Sequence, residues 1–562
     1  MGKFQTLVSA ACLLCGFLLF GMFAWSLRGG FAFPVEAYWL SFVFVSIPLL
    51  CDVFFWHSGL RVRLVYLLAF STMIALQYAV VDVSPFLASS DAVFEFRLSE
   101  EILVAGVWSP GMSIERGVAY SYYPVTNFLY VVVSSVTGVP LVLVTKYLFI
   151  VVRAFALPLL AFKWLRSFFS ENLAYLGAAI LLSSPGAILF PHKEAIALIF
   201  LMVGLYVMMK LWTSRSRSYL AVGILVVPVL VIAHHFTSYI FMGILASLFL
   251  AGYLLKRRSY SPSRQYFLLS CVLFAVWTVY VAWITAGSHV DLLLEVLMPK
   301  PVVSSSLLVG YASYETVVIW IGSIITLLSA FLGFLGYVRY RNRSFNFVAI
   351  TLFLAGLLIP ATVFRFSASP LGLTVSHRAY EFGYFSIGPL AAFLFLRGVR
   401  EKKSQMLRML FVLVIVSVLI SGIMAGDVNP RNPTPSLVHT ISESALSLSP
   451  WVEDFSGETE IIVYSVEGPV YLVLSGQLGR RVTVYPELFS SLEFNFTAVR
   501  EHGISSEEVY VITHAYLFEL AQLRGESLNE TCLGKFEMSL NSQRLYSNGV
   551  FTIYELTLNA TG

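Results

Sequence analysis

Asp91 and Glu95 stand four residues apart in Ser90-Asp91-Ala92-Val93-Phe94-Glu95, which opens a long polar stretch between hydrophobic segments. Glu100, Glu101, Glu115 and Arg116 follow, then Tyr120, Tyr122 and Tyr123 ahead of Pro124. An acid held at a membrane surface suits chemistry on a lipid-linked substrate. The pattern from Ala92 to Val104 is helical, which places Asp91 and Glu95 on one face or at its N-terminal edge. The same residues also fit a solvated acidic loop in which Asp91 caps a helix. Spacing alone leaves both readings open.

Further groups capable of chemistry lie at the ends of later apolar segments. Pro191-His192-Lys193-Glu194 forms a tight turn, His234-His235-Phe236-Thr237-Ser238 forms another, and His377-Arg378 precedes a span with Glu381 one turn on. Each fits a helix cap or an interfacial anchor when taken singly. Together they bring acids, histidines and cations from separate turns to one membrane face. The paired histidines with Glu115 offer metal-ligand types, but no fixed ligand spacing supports a metal. Within an apolar segment, Lys146 and Arg153 lie seven residues apart on one helix face. A charged side chain at mid-depth costs about 2.5–3.5 kcal/mol on insertion scales, so both are expected to face the bundle interior. Snorkelling for Lys146 and an intrahelical partner for Arg153 are the plainer alternatives. The stretch from Gly287 to Tyr314 fits either a mobile cover or a passive connector.

The elements that must hold these groups are membrane spans. With 58% hydrophobic and 12% charged residues over 562 positions, the chain cannot be one soluble globule. Repeated apolar runs of about 20 residues match a hydrocarbon core of roughly 30 Å. Spans are expected near 6–27, 36–56, 63–82, 140–162, 172–190, 195–211, 219–233, 236–255, 264–286, 315–338, 345–363, 378–397 and 406–424. The basic clusters (Arg61 and Arg63; Lys163 and Arg166; Lys210, Arg215 and Arg217; Lys256 to Arg258; Arg339 to Arg343; Arg397 to Lys403) fall on alternate turns, which assigns those turns and the N-terminus to the cytoplasm. Tyr122 to Thr137 is apolar enough to span, but counting it would move every later basic cluster outside. It is therefore expected as a surface-lying helix. The net charge of +4 is too small to argue for nucleic acid.

The fold expected is an α-helical polytopic membrane protein of about thirteen spans over residues 1–424, with a long first outer loop at 83–139. Residues 425–562 are expected as a small extracytoplasmic α/β domain. Short β-rich runs (Glu460 to Ser465, Arg481 to Tyr485, Val509 to Thr513) alternate there with helical stretches, and Asn548-Gly549 reads as a hairpin turn. Cys12, Cys15, Cys51 and Cys271 fall inside apolar spans and Cys532 stands alone, which argues against a disulfide framework.

Ser90-Asp91-Ala92-Val93-Phe94-Glu95, Glu101-Ile102-Leu103 and Gly106-Val107-Trp108 resemble the first outer loop of the C-type (GT-C) membrane glycosyltransferases, such as the aminoarabinose transferases of lipid A and the protein O-mannosyltransferases. The likeness continues in order through Tyr122-Tyr123-Pro124-Val125, Phe128-Leu129-Tyr130, Gly138 and Leu182-Ser183-Ser184-Pro185. It covers roughly residues 63 to 211. The resemblance implies a sugar donor on polyprenyl phosphate and a catalytic base at Asp91. Ala92 stands where the family often has a second acid, which leaves open whether Glu95 substitutes or whether any metal is needed. The family also lays a surface helix where Tyr122 to Thr137 falls.

A polyprenyl-phosphate donor carries a good leaving group, so inverting transfer needs one base for the acceptor hydroxyl and donors around the departing phosphate. Asp91 suits the first role. Lys193, His234, His235 and Arg378 suit the second, with guanidinium the best geometric match to phosphate. Glu95, Glu115, Tyr122 and Tyr123 are candidates for holding sugar or acceptor, with Arg116, Glu194 and His377 beside them. The expected partners are the polyprenyl-phosphate-sugar donor, a protein, lipid or glycan acceptor, and membrane lipids. The expected setting is the plasma membrane. The contrasting reading is a transporter or flippase of an amphiphilic solute, for which Lys146 and Arg153 are the main support.

Overall fold

The computed structural model describes residues 2–29, 33–81, 90–110, 112, 121–184, 193–214, 216–254, 264–283, 313–339, 345–366, 370–401, 405–425 and five strands between 460 and 557. Its helices are α1 (Lys3–Gly29), α2 (Val35–Cys51), α3 (Leu60–Val81), α4 (Ser90–Ala105), α5 (Val125–Thr137), α6 (Leu141–Leu165), α7 (Glu171–Leu182) and α8 (Lys193–Ser214). These continue with α9 (Arg217–Ala233), α10 (His235–Leu254), α11 (Arg264–Val276), α12 (Ser313–Arg339), α13 (Phe345–Phe366), α14 (Pro370–Glu401) and α15 (Gln405–Met424). Each expected span coincides with one of them. Among the described residues, seven helices are long and apolar enough to cross a bilayer, the pattern of a multi-pass integral membrane protein. At thirteen residues α5 reaches about 20 Å and, like α7 at twelve, is one of the shorter apolar helices.

The chain divides into two compact units. One comprises Met1–Val81, Ala105–Met112 and Val118–Asn432, the other Asp82–Val104, Ser113–Gly117 and Pro433–Gly562. The first is a helical bundle around a continuous apolar core that includes Phe42, Phe70, Trp164, Tyr175, Met202, Phe241, Phe347 and Phe385. Small residues set its closest contacts. A Cβ at Gly388 of α14 would lie 2.9 Å from the Gly177 carbonyl oxygen of α7, and Gly333 of α12 likewise admits the Leu390 carbonyl. Two segments depart from α-helical winding: Asp52–Trp56 continues α2 and Trp277–Val281 continues α11 as single π-helical stretches. The first ends at His57 in the left-handed conformation, φ 51°.

In the second unit, β1 (Glu460–Val463) lies between β2 (Val482–Val484) and β3 (Glu508–His514), parallel to both. β5 (Phe551–Thr557) pairs antiparallel with β3 and with β4 (Ser542–Ser547), giving the order β2-β1-β3-β5-β4. The β4–β5 register shifts between Arg544 and Tyr546, and the Asn548-Gly549 turn lies outside the described residues.

Candidate functional site

Tyr122 and Tyr123 sit in a turn that Pro124 ends by starting α5, a helix closed by Gly138 at φ 71°. Pro124, the N-cap of α5, lacks an N–H, and at a helix start that donor would have no intrahelical partner to lose. Both tyrosines are buried, and they cluster with Ala282, Trp277 and Val281 at the π-helical end of α11. Trp108 donates from Nε1 to the Ser121 carbonyl at 3.0 Å and stacks on Trp277 with centroids 6.1 Å apart and planes 17° apart. It meets Phe128 of α5 edge-on at 6.2 Å.

The His234-His235 pair joins this cluster from the α9–α10 junction. The Tyr123 and His235 rings lie 5.4 Å apart, and His235 continues through Tyr239 to Phe274. His234 is buried and its backbone is extended, which breaks α9 from α10. The Thr237 N–H donates to His234 Nδ1 at 3.4 Å, and Thr237 Oγ1 lies 3.0 Å from the same nitrogen. A backbone N–H can only donate, so Nδ1 accepts and the neutral ring carries its proton on Nε2. His234 thus caps α10 through Nδ1. Burial pushes the Tyr123 hydroxyl well above the usual phenol range, and Tyr239 adds to the shift. Tyr123 therefore acts as a neutral hydroxyl, not as a phenolate.

Lys193 and Glu194 occupy the first turn of α8 and are 3% and 0% exposed. A carboxylate suits that end of a helix. α8 packs against α6, α9 and α10, and α5 touches both α8 and α9, so these side chains start from the same group of helices as the histidines.

Asp91 falls in the first turn of α4, with Glu95 one turn on and fully buried. The Ser99 hydroxyl donates to the Glu95 carbonyl at 2.6 Å, and Arg97 pairs with Glu100 at 2.7 Å. The Asp91 side chain, together with Glu115, Arg116 and His192, lies outside the described residues. So do the side chains of His377 and Arg378, although their backbone is helical. These two residues were expected just ahead of a span; instead α14 begins at Pro370 and they lie two turns inside it. Proline fits a first helical position, and a polar pair does not end a helix whose backbone bonds continue.

The intramembrane cations are both buried on α6. Arg153 Nη2 lies 3.4 Å from Glu381 Oε1 of α14, and the Arg153 carbonyl accepts from Ser71 of α3 at 3.2 Å. The partner of Arg153 is thus interhelical. Lys146 sits 5.6 Å from the Tyr147 ring. Among the described residues, no three His, Cys, Asp or Glu side chains gather as a metal site. Trp277 and Tyr239 were not singled out from sequence; the only signal for Trp277 is an aromatic residue near a span end.

No protein-family model matches the sequence, and no characterised protein matches it as a sequence relative. Its fold does match. Similarity extends to ArnT from Cupriavidus metallidurans bound to undecaprenyl phosphate, with a TM-score of 0.50 and 10% identity over 88% of this chain and 98% of that one. The apo form of the same protein gives a TM-score of 0.47 and 12% identity, over 89% and 98% of the two chains. The chain therefore has the ArnT fold, the architecture its motifs resembled.

Proposed function

We propose that the protein transfers a sugar from a polyprenyl-phosphate donor to an acceptor on the extracytoplasmic side of the plasma membrane, inverting the anomeric centre. The observation that carries this reading is the ArnT fold, matched over 88% of the chain by an ArnT structure that holds undecaprenyl phosphate. The ordered motifs from Ser90 to Ser184 support it independently. Residues 1–424 are then the membrane domain of thirteen spans, with its catalytic loop at 83–139, and 425–562 an extracytoplasmic α/β domain.

In this mechanism Asp91 takes the acceptor hydroxyl proton as that oxygen attacks the anomeric carbon. The bond to the donor phosphate breaks, and the phosphate leaves with the electron pair. Arg378, Lys193, His234 and His235 compensate the charge it gains, through donors placed at a partly dry interface. His234 can serve only through Nε2, because its Nδ1 caps α10. Glu95, Glu115, Arg116, Tyr122, Tyr123, Glu194 and His377 hold sugar and acceptor.

Transport draws its main support from charges within the spans, and Arg153 has a local use in its bond to Glu381. The purified protein in nanodiscs, given polyprenyl-phosphate sugars and an acceptor extract, should release free polyprenyl phosphate with matching acceptor gain. Solute flux in proteoliposomes without any transfer would replace this reading with the transporter.

A further inference from the structure

We propose that the Arg153–Glu381 ion pair is a positioning device that sets the height and rotation of the Arg378 turn of α14 against the donor phosphate; this rests on the glycosyltransfer reading above. Glu381 lies three residues from Arg378 and four from His377 on a continuous helix. Residues so spaced share a helix face, with about 1.5 Å of rise each. A clamp on Glu381 therefore fixes where the Arg378 turn stands along the helix and which way that face is rotated.

Helix association does not account for the pair. Arg153 and Glu381 are 5% and 4% exposed. Bringing two charges into an apolar interior costs several kcal/mol per ion, and apolar side chains of similar volume often stabilise as well or better. α14 is already held through α7, α12 and α13, closely enough at Gly388 and beside Gly333 that no Cβ fits. α6 is not among its main packing partners. Besides this ion pair, Trp164 of α6 meets Phe385 of α14 edge-on at 5.7 Å. The α6 end of the ion pair is itself anchored, because the Arg153 carbonyl accepts from Ser71 of α3. Close packing runs along α14, at Gly383 against Leu358 as well as at Gly388 and Leu390, and a directional, charge-assisted bond is added one turn from the candidate phosphate ligands. Such a bond is directional, so it adds a constraint on rotation to that packing.

The test uses the full chain in nanodiscs with two independent arms. In the first, Arg378→Cys is labelled with a membrane-impermeant maleimide, alone and combined with Glu381→Gln. The labelling rate is expected to shift by about an order of magnitude as the turn loses its reference. In the second, undecaprenyl phosphate binding is measured for Glu381→Gln and for the swap Arg153→Glu with Glu381→Arg. A misplacement of 1 Å can cost about 100-fold, so Glu381→Gln should weaken binding by about 10- to 100-fold, and the swap should recover most of the loss. Thermal unfolding of each variant separates lost folding from lost alignment.

An unchanged labelling rate with unchanged binding overturns the proposal, as does a swap no better than the single variant in both arms. Should the wild-type protein bind no undecaprenyl phosphate, the donor reading fails, and the labelling arm still decides the positional claim.

Discussion

Two polar clusters in the helical bundle are built on opposite principles. In one, Arg63 donates from Nε to Asp52 at 2.8 Å and from Nη1 to Glu171 and Asn172 at 3.1 and 2.6 Å. Arg166 pairs with Glu171 in turn, and the Ser58 N–H donates to Asp52 at 2.7 Å. Every charge there finds an opposite charge across the α2–α3 and α6–α7 turns. In the other, around Tyr123, Trp108, Trp277 and His235, the contacts are stacked rings, with hydrogen bonds from side chain to backbone. An ion network closed on itself is spent on structure. The second cluster is joined by ring contacts and by the Thr237 N–H donating to His234 Nδ1.

The largest predicted effect tests the second kind of site. Asp91→Asn should abolish transfer, a loss of about 10²- to 10⁴-fold for a general base, while the protein still inserts and binds donor. Retained turnover in the purified variant would remove Asp91 from the role. Arg63→Ala should do the reverse. Removing one partner of a buried ion pair costs about 3–5 kcal/mol because Asp52 is left charged and uncompensated. The yield of folded protein and its thermal midpoint should fall, whereas the donor affinity of what remains should not. A weakened donor affinity in correctly folded Arg63→Ala would break the division between the clusters.

Arg378→Ala comes next, with donor binding weakened by about 10- to 100-fold, as expected for a charge-assisted contact to phosphate. Unlike Arg63→Ala, it should leave the unfolding temperature nearly unchanged. Equal affinities for variant and wild type would take Arg378 out of the phosphate site.

What the sequence made legible is where helices run along the chain, not their rotation or partnership. Apolar runs and basic turns located the helices, and the same charges set Tyr122 to Thr137 apart, where the structure has the thirteen-residue helix α5. Hydropathy could not locate the start of α14, because Pro370 to Val375 are apolar yet precede the polar pair that seemed to mark a boundary. Nor could it show that Arg153 meets Glu381, 228 residues away, or that Trp108 stacks on Trp277. A buried charge announces that it needs a partner, but not which one. The π-helical turn at Trp277–Val281 leaves no trace in a 3.6-residue pattern, and it is what delivers Trp277 to the tyrosines.

The smallest predicted effect probes that delivery. Trp277→Leu keeps an apolar side chain near the π-helical turn and removes the face on which Trp108 stacks. An aromatic pair adds about 0.5–1.5 kcal/mol beyond its buried area, so stability should fall only slightly. Trp108 keeps its bond to the Ser121 carbonyl, but the turn carrying Tyr122 and Tyr123 loses one of its walls. Sugar placement should suffer more than phosphate binding, giving a several-fold lower kcat with a nearly constant affinity for undecaprenyl phosphate. Were both unchanged, the aromatic cluster would join the Asp52–Arg63 network as plain structure. The contrast between the two ends would then rest on Asp91 and Arg378 alone.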